Sequence, residues 1–160
     1  MTRSTMFIRI LAAAALVAIT ACASASQPTA GSPPAPRSTG TLYHRLGGYD
    51  AIAAVVDDFL ARMLGDRRRL AVFFENLNDA AKQRVRQMIV DQLCAASGGP
   101  CIYVAQDMRT AHQGMGITEA DWNRAVGHLM VTLDRFRVPQ REREELLAAI
   151  SALKADIVGQ

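Results

Sequence analysis

About twenty residues between Ser97 and Thr118 interrupt a chain whose periodicity is otherwise helical, and this interruption limits the folds open to it. Before it, Ile52, Val55, Val56, Phe59, Leu60 and Met63 keep an apolar stripe at helical spacing up to Gly65. Val85, Met88, Ile89, Leu93 and Ala96 mark a second face, with Gln92 as its only polar member. After the interruption, Trp122, Val126, Leu129, Val131 or Leu133, and Phe136 mark a third face, and Leu146, Leu147, Ile150, Leu153 and Ile157 a fourth. No stretch alternates apolar and polar residues long enough to argue for a sheet, so the spacing predicts an all-α domain with four substantial helices. A simple bundle joins its helices with short loops. This chain instead spends a long segment on loop with one short turn at Met108–His112, and long loops inside compact domains tend to carry function.

Local signals set the helix boundaries. Leu42, Tyr43 and Leu46 form a short turn closed by Gly47-Gly48, and a second turn near Leu70–Phe74 presents the pair Phe73-Phe74. A polar corner at Asn76–Asp79 precedes the second long helix. Gly98-Gly99-Pro100 stops that helix, because glycine accepts left-handed geometry and proline cannot continue the hydrogen-bond ladder. Thr118 is the expected N-cap of the third, with Asp121 three residues on, where a carboxylate suits the helix dipole. Pro139 suits the first turn of the fourth.

The ends bear on the compartment. Residues 1–21 read as an export signal, in which Arg3 and Arg9 precede the uncharged run Ile10–Ile19, too short to span a bilayer comfortably. The run ends in Ile19-Thr20-Ala21-Cys22, which resembles a bacterial lipobox, so that the Cys22 thiol would carry a lipid. A plain secretory signal cut after Ala23-Ser24-Ala25 is the alternative. Residues 22–40 hold Pro28, Pro33, Pro34 and Pro36 among small polar residues, have little to bury, and are expected to form an extended tether. Loss of Arg3 and Arg9 with the signal lowers the formal charge from +3 to +1, so the basic balance gives no argument for nucleic acid. Arg67-Arg68-Arg69 reads as a solvated corner. Residues 41–160 are long enough for one core, and they contain Cys94 and Cys101. In an oxidising compartment such a pair, across the Gly98-Gly99-Pro100 turn, invites a disulfide; two free buried thiols are the alternative. Closing so small a loop stabilises by at most about 2–3 kcal/mol on the chain-entropy estimate.

By spacing alone His112 fits an ordinary surface or core histidine. Its surroundings are more specific: Tyr103 and Met108 precede it, Gly114 and Gly116 break the chain after it, and Trp122 lies one turn into the helix that starts at Thr118. That order resembles the proximal side of a group I truncated haemoglobin, a two-on-two helical globin. The resemblance runs from Thr41 to about Val158 and rests on several motifs in order. These are Leu42-Tyr43-His44-Arg45-Leu46-Gly47-Gly48, Phe73-Phe74, Gly98-Gly99-Pro100, the His112 segment through Thr118, Gly127-His128-Leu129 and Val138-Pro139. Cys94 and Cys101, flanking the second glycine motif, resemble an exported, cysteine-bearing subset of the family.

The resemblance implies haem b as cofactor and His112 as its iron ligand. A neutral imidazole offers a nitrogen lone pair, and its other nitrogen is expected to bond a backbone carbonyl of the turn Met108–Thr110. Phe74 would lie flat against the porphyrin, with Met108, Ile117, Trp122 and Val126 as apolar walls on the proximal side. Tyr103 and Arg109 are candidates to meet the propionates, with an exposed charge as the alternative for Arg109. His44 is expected to be exposed, and His128 to pack a helix or face solvent. On the distal side this chain departs from the pattern. Leu60 stands where the family commonly has tyrosine after the phenylalanine of the second helix. Distance to Gly98-Gly99 puts Val85 and Ile89 over the iron, with Met88, Gln92 and Leu93 around them. A register anchored on Lys82-Gln83-Arg84 would instead aim Gln83 and Gln87 inward and set Asp91 near the apolar haem edge, which is costly.

These readings imply a haem protein on the periplasmic face of a bacterial membrane, held there by a lipid on Cys22, that reversibly binds oxygen or nitric oxide. Oxidation of nitric oxide would require an electron donor that the sequence does not name. Peroxidase chemistry is disfavoured, because no histidine is placed as a distal acid and base. The alternative from another class is a haem-free helical envelope lipoprotein acting as an interaction module, against which the intact His112 and Phe74 argue.

Overall fold

The computed structural model describes residues 40–160; the expected signal (1–21), Cys22 and all of the expected tether except Gly40 lie outside the described residues. In chain order the helices are α1 (Leu42–Arg45), α2 (Gly48–Gly65), α3 (Asp79–Ala96), α4 (Met108–His112), α5 (Glu119–Arg135) and α6 (Gln140–Ser151). Short 3-10 turns cover Ala71–Phe74 and Lys154–Asp156. Among the described residues there is no strand, so the all-α reading holds, and the long irregular segment lies between α3 and α5 with α4 as its one helical turn.

α2 is the central element because it is apolar on two flanks. Ile52, Val56 and Leu60, each one turn apart, join Val90 and Cys94 of α3 in one buried cluster. Val55 and Phe59, on the other flank, pack on a second cluster of Leu129, Leu133 and Leu146 from α5 and α6. α2 therefore packs against both α3 and α5, whereas α3 and α5 scarcely touch each other.

This arrangement corrects the expected faces. On α3 the fully buried residues are Val90 and Cys94, while Met88 and Ala96 are exposed and Val85, Ile89 and Leu93 are only part-covered. One flank of α3 meets α2; the apolar stripe read from the sequence is turned partly off that contact. On α5, Leu129, Thr132 and Leu133 define the buried flank, and Val131 points away from it. Phe136 follows the last helical residue as its C-cap and is exposed, contrary to expectation. Pro139 is the N-cap of α6 rather than its first residue, and Leu153 and Ile157 fall beyond its end.

Ion pairs lock the helices where apolar contact is thin. Arg45, itself nearly buried, reaches from α1 to Glu142 at 2.9 Å and to Glu145 on α6. Asp58 on α2 accepts from Thr132 at 2.8 Å and pairs with Arg62 and Arg135. Asp57 takes both Nε and Nη2 of Arg86, joining α2 to α3.

At the end of α3, Cys94 and Cys101 are joined, with their Cα atoms 5.8 Å apart. Gly98 turns the chain at φ 80°, and a Cβ at Gly99 would stand 2.5 Å from the Tyr43 ring and 2.7 Å from Cys94 Sγ, so no larger residue fits there.

Candidate functional site

α4 is short, and its ends are fixed by side chains. Asp107 caps it, accepting from the Thr110 amide at 3.0 Å and the Thr110 hydroxyl at 2.8 Å. These bonds, the amide first, hold the Asp107 carboxyl below its ordinary range. Four residues on, His112 Nδ1 lies 2.7 Å from the Met108 carbonyl oxygen. A carbonyl only accepts, so Nδ1 is the donor, and in the neutral ring the lone pair sits on Nε2. The half-buried imidazole is thereby oriented by its own helix.

The C-terminal tail holds α4 in place. Arg109 donates to Asp156 at 2.6 Å and to Gln160 Oε1 at 3.1 Å. The Gly116 amide donates to the Gln160 carbonyl at 2.8 Å, and the Gly159 amide to Ile117 at 2.9 Å. Gly114 and Gly116 take positive φ values of 79° and 63°, which lets the chain double back from His112 to the buried Ile117. Thr118 and Asp121 form the expected reciprocal cap of α5. Trp122 and Val126, one turn apart on α5, are both part-buried.

The other apolar residues expected at the site lie on α2, the 3-10 turn and α3. Leu60, Phe74 and Ile89 belong to one apolar cluster, and Val85 stands one turn before Ile89. Phe74 owes its position to Asp66, whose carbonyl accepts the amides of Arg69, Leu70 and Ala71, each at 3.1 Å, and so starts the turn. The Gln87 amide instead donates to Tyr49 Oη at 2.6 Å and to Asp91 at 2.9 Å, and Gln83 is exposed. Gln87 and Asp91 are thus engaged with each other and with Tyr49, while Gln83 stands in solvent.

Two expected contacts find other partners. Arg109 is held by the tail, and the Tyr103 hydroxyl donates to the Gln106 carbonyl at 2.8 Å, with burial pushing its pKa up. The Tyr103 hydroxyl proton is used within its own loop, whereas two of the five Arg109 N–H groups are engaged and the exposed guanidinium keeps donors for a carboxylate. His44 is exposed, with Nδ1 2.8 Å from the Thr41 hydroxyl, and His128 packs α5 onto the end of α2 through Asp66.

Sequence reasoning missed the polar hub behind the site. The Asp66 carboxylate, nearly buried, accepts from both Nε and Nη2 of Arg124 and lies 2.9 Å from His128 Nε2. Arg124 foremost, then His128, holds it well below the usual carboxylate range. Arg69, expected to be solvated, grips the buried Asp121 with two nitrogens and reaches the Thr118 hydroxyl at 3.2 Å. Its guanidinium lowers the Asp121 pKa to about 2. Both pairs tie the segment leading to Phe74 to the helix carrying Trp122 and Val126.

The sign of the resulting pH effect is fixed. A carboxylate with a lowered folded-state pKa stabilises the fold fully above its unfolded value, about 3.9, and loses that contribution as pH falls towards the folded value, about 2 for Asp121. Urea unfolding between pH 5 and pH 2 is expected to show a steep loss of stability, and Asp121→Asn a shallower one from a lower start. Parallel curves for the two proteins would contradict this assignment.

Among the described residues no group of three or more His, Cys, Asp and Glu could hold a metal ion. A single imidazole among apolar walls does not bind a bare ion tightly; it suits a metal whose remaining ligands arrive with an apolar macrocycle. His112 on α4, the apolar cluster that holds Leu60, Phe74 and Ile89, and the covered Ile117, Trp122 and Val126 near the start of α5 are chemically compatible with haem.

The profile of the bacterial-like globin family matches residues 41–158. A group 1 truncated hemoglobin of Mycolicibacterium paratuberculosis is 36% identical over 117 residues, which cover 73% of this chain and 83% of that protein. The group 1 truncated hemoglobin of Synechocystis sp. is 34% identical over 130 residues, covering 75% and 98%. Among solved structures, the truncated hemoglobin of Tetrahymena pyriformis in its Fe(III) form matches with a TM-score of 0.69 at 28% identity, covering 76% of this chain and all of that one. The 2/2 hemoglobin of a Synechococcus species, in a cyanomet state with covalently attached heme, matches with a TM-score of 0.68 at 26% identity, covering 76% and 100%.

Proposed function

The chain belongs to the bacterial-like globins, as a group I truncated haemoglobin, and we propose that it holds haem b through His112 and reversibly binds oxygen or nitric oxide on the periplasmic face of a bacterial membrane, anchored by a lipid on Cys22. The observation that carries this reading is the 2.7 Å bond from His112 Nδ1 to Met108, which leaves Nε2 as a single oriented donor atom. Haem supplies the iron at which a diatomic gas is held. Residues of the chain do the rest: Met108 fixes the ring tautomer, Ile117, Trp122 and Val126 wall the proximal side, and Phe74 offers an apolar face. Leu60, Val85 and Ile89 exclude water from the opposite side and present no hydrogen-bond donor. Nitric oxide depends less on such a donor than oxygen does, so the pocket favours it of the two. Its oxidation would need an external electron donor.

Titration of the purified chain with haemin tests the reading directly. A one-to-one complex with a sharp Soret band, and a reversible shift on adding carbon monoxide to the reduced form, is expected. A spectrum no different from free haemin would support the haem-free interaction module instead.

Export gives two further tests. Protein taken from the periplasm and alkylated without reduction is expected to carry no label on Cys94 or Cys101; labelling of both would refute the bridge as the form present there. Cys22 is expected to be the first residue of the mature chain and to carry lipid, so Cys22→Ser protein is expected in the soluble fraction or unprocessed. Fractionation and migration like wild type would remove the lipid anchor.

A further inference from the structure

Ile102 and Val104 are the most exposed large apolar side chains of the described residues, at 78% and 88%. They are not scattered. Along 101–105 exposure alternates, with Cys101, Tyr103 and Ala105 half-buried between them. The segment is anchored at its start by the Cys94–Cys101 bridge, with Cys101 packed on the core cluster, and the Tyr103 bond to Gln106 turns the loop on itself just beyond Val104.

The place where the chain enters the domain adjoins this segment. The Tyr43 amide donates to the Ser97 carbonyl at 2.8 Å, a Cβ on Gly98 would stand 3.1 Å from Thr41, and Tyr43 and Cys101 pack on the same core cluster. Residues 22–39 therefore join the domain a few residues in space from Ile102. At full extension such a stretch spans roughly 60 Å.

We propose that Ile102 and Val104 are a lipid-contact pair, by which the domain lies against the membrane surface that its own tether reaches. This rests on the reading of Cys22 as a lipid anchor. Two apolar side chains are too few to recruit a free protein to a bilayer. A link of so few residues, however, holds its domain at an effective concentration in the millimolar range, where a weak contact becomes populated. Charge does not supply the attraction: the 18 Lys and Arg include Arg3, Arg9 and Arg37, so from residue 41 onward cations and the 15 carboxylates balance. The contact is accordingly insensitive to salt. Docking by this segment also sets the membrane beside the loop that leads into α4 and His112.

The test uses the full lipidated mature chain in vesicles of phosphatidylethanolamine and phosphatidylglycerol. Val104→Cys supplies the one free thiol, since Cys94 and Cys101 are bridged and Cys22 is either lipidated at sulfur or replaced by Ser, and its reaction with a water-soluble maleimide reports its cover. Labelling is expected to be at least about fivefold slower in the lipidated chain than in the unlipidated Cys22→Ser chain mixed with the same vesicles. A second substitution, Ile102→Asp, is expected to restore the fast rate, and Val131→Cys, on exposed α5, is expected to react alike in both chains. Equal rates for Val104→Cys while the lipidated protein floats with the vesicles would overturn the contact and leave the anchor standing. Failure to float would overturn the anchor, and the contact with it. Protection that rises with protein concentration in the absence of vesicles would mean that a second copy covers the pair, and would also overturn the proposal.

Discussion

His112→Ala is expected to abolish stable haem binding while the helices remain. The histidine is the last residue of a five-residue helix and belongs to neither buried cluster, so its loss leaves the contacts of α2 with α3, α5 and α6 in place. What goes is the Nε2 lone pair that the bond from Nδ1 to Met108 orients. Outer partners of a metal ligand alone are worth 10–100-fold in affinity, so removing the ligand itself is expected to weaken haem binding by more than about a hundredfold. Apolar walls would retain some haem loosely, with the spectrum of an unligated proximal side. Haem titration with far-ultraviolet circular dichroism on the same samples decides the matter. Normal stoichiometry and an unchanged Soret band in the variant would remove His112 from the site. Added imidazole is expected to restore part of the spectrum, because the space vacated by the ring remains bordered by the tail and Met108.

The order of helices was legible because each carries its own punctuation. Thr118 and Asp121 could be read as a reciprocal cap three residues apart, and Gly98-Gly99-Pro100 could be read as a stop, since both devices are local. The five-residue α4 was legible as a short turn before two glycines, whereas its Asp107 cap came only with the structure. Burial was less legible. Periodicity gives the apolar side of a helix but not which flank meets a neighbour, and α3, packed closely by α2 alone, buries Val90 and Cys94 rather than Met88. Phe136 was misjudged for a different reason: it continues the spacing of α5 but follows the helix end.

Polar partners were the least legible. Arg69 stands in a run of three arginines that looks solvated, yet its partner Asp121 is 52 residues away. Asp66 follows the helix-ending Gly65, and Arg124 and His128 reach it from α5, 58 and 62 residues away. Such pairs are long-range contacts between residues common on any surface, and one sequence does not announce them. The same holds for Arg109, whose attachment to Asp156 and Gln160 depends on where the last 3-10 turn falls.

Leu60→Tyr is expected to slow oxygen release about tenfold. Leu60 lies nearly buried on α2, in one cluster with Phe74 and Ile89, and its side chain can donate nothing. A diatomic ligand that gathers negative charge gains on the order of 1–3 kcal/mol from one charge-assisted donor, and a decade in rate corresponds to about 1.4 kcal/mol. The wild-type pocket is accordingly expected to release oxygen fast and to oxidise readily in the ferrous state. Phenol is larger than isobutyl, so the variant carries a packing cost. Leu60→Phe carries a similar cost without the hydroxyl, and it is expected to leave release fast. Stopped-flow displacement by carbon monoxide reads the rates. Equal rates for the Tyr and Phe variants would place position 60 away from the ligand. Gln92, half-buried on α3, is the nearest other donor by sequence, and Gln92→Leu is expected to change wild-type release only modestly. A large acceleration there would make Gln92 the donor already present. Gln87→Leu separates the two registers of α3, since Gln87 is held by Tyr49 and Asp91 and its loss is expected to leave release unchanged. An effect confined to that variant would mean that α3 turns its other flank to the haem.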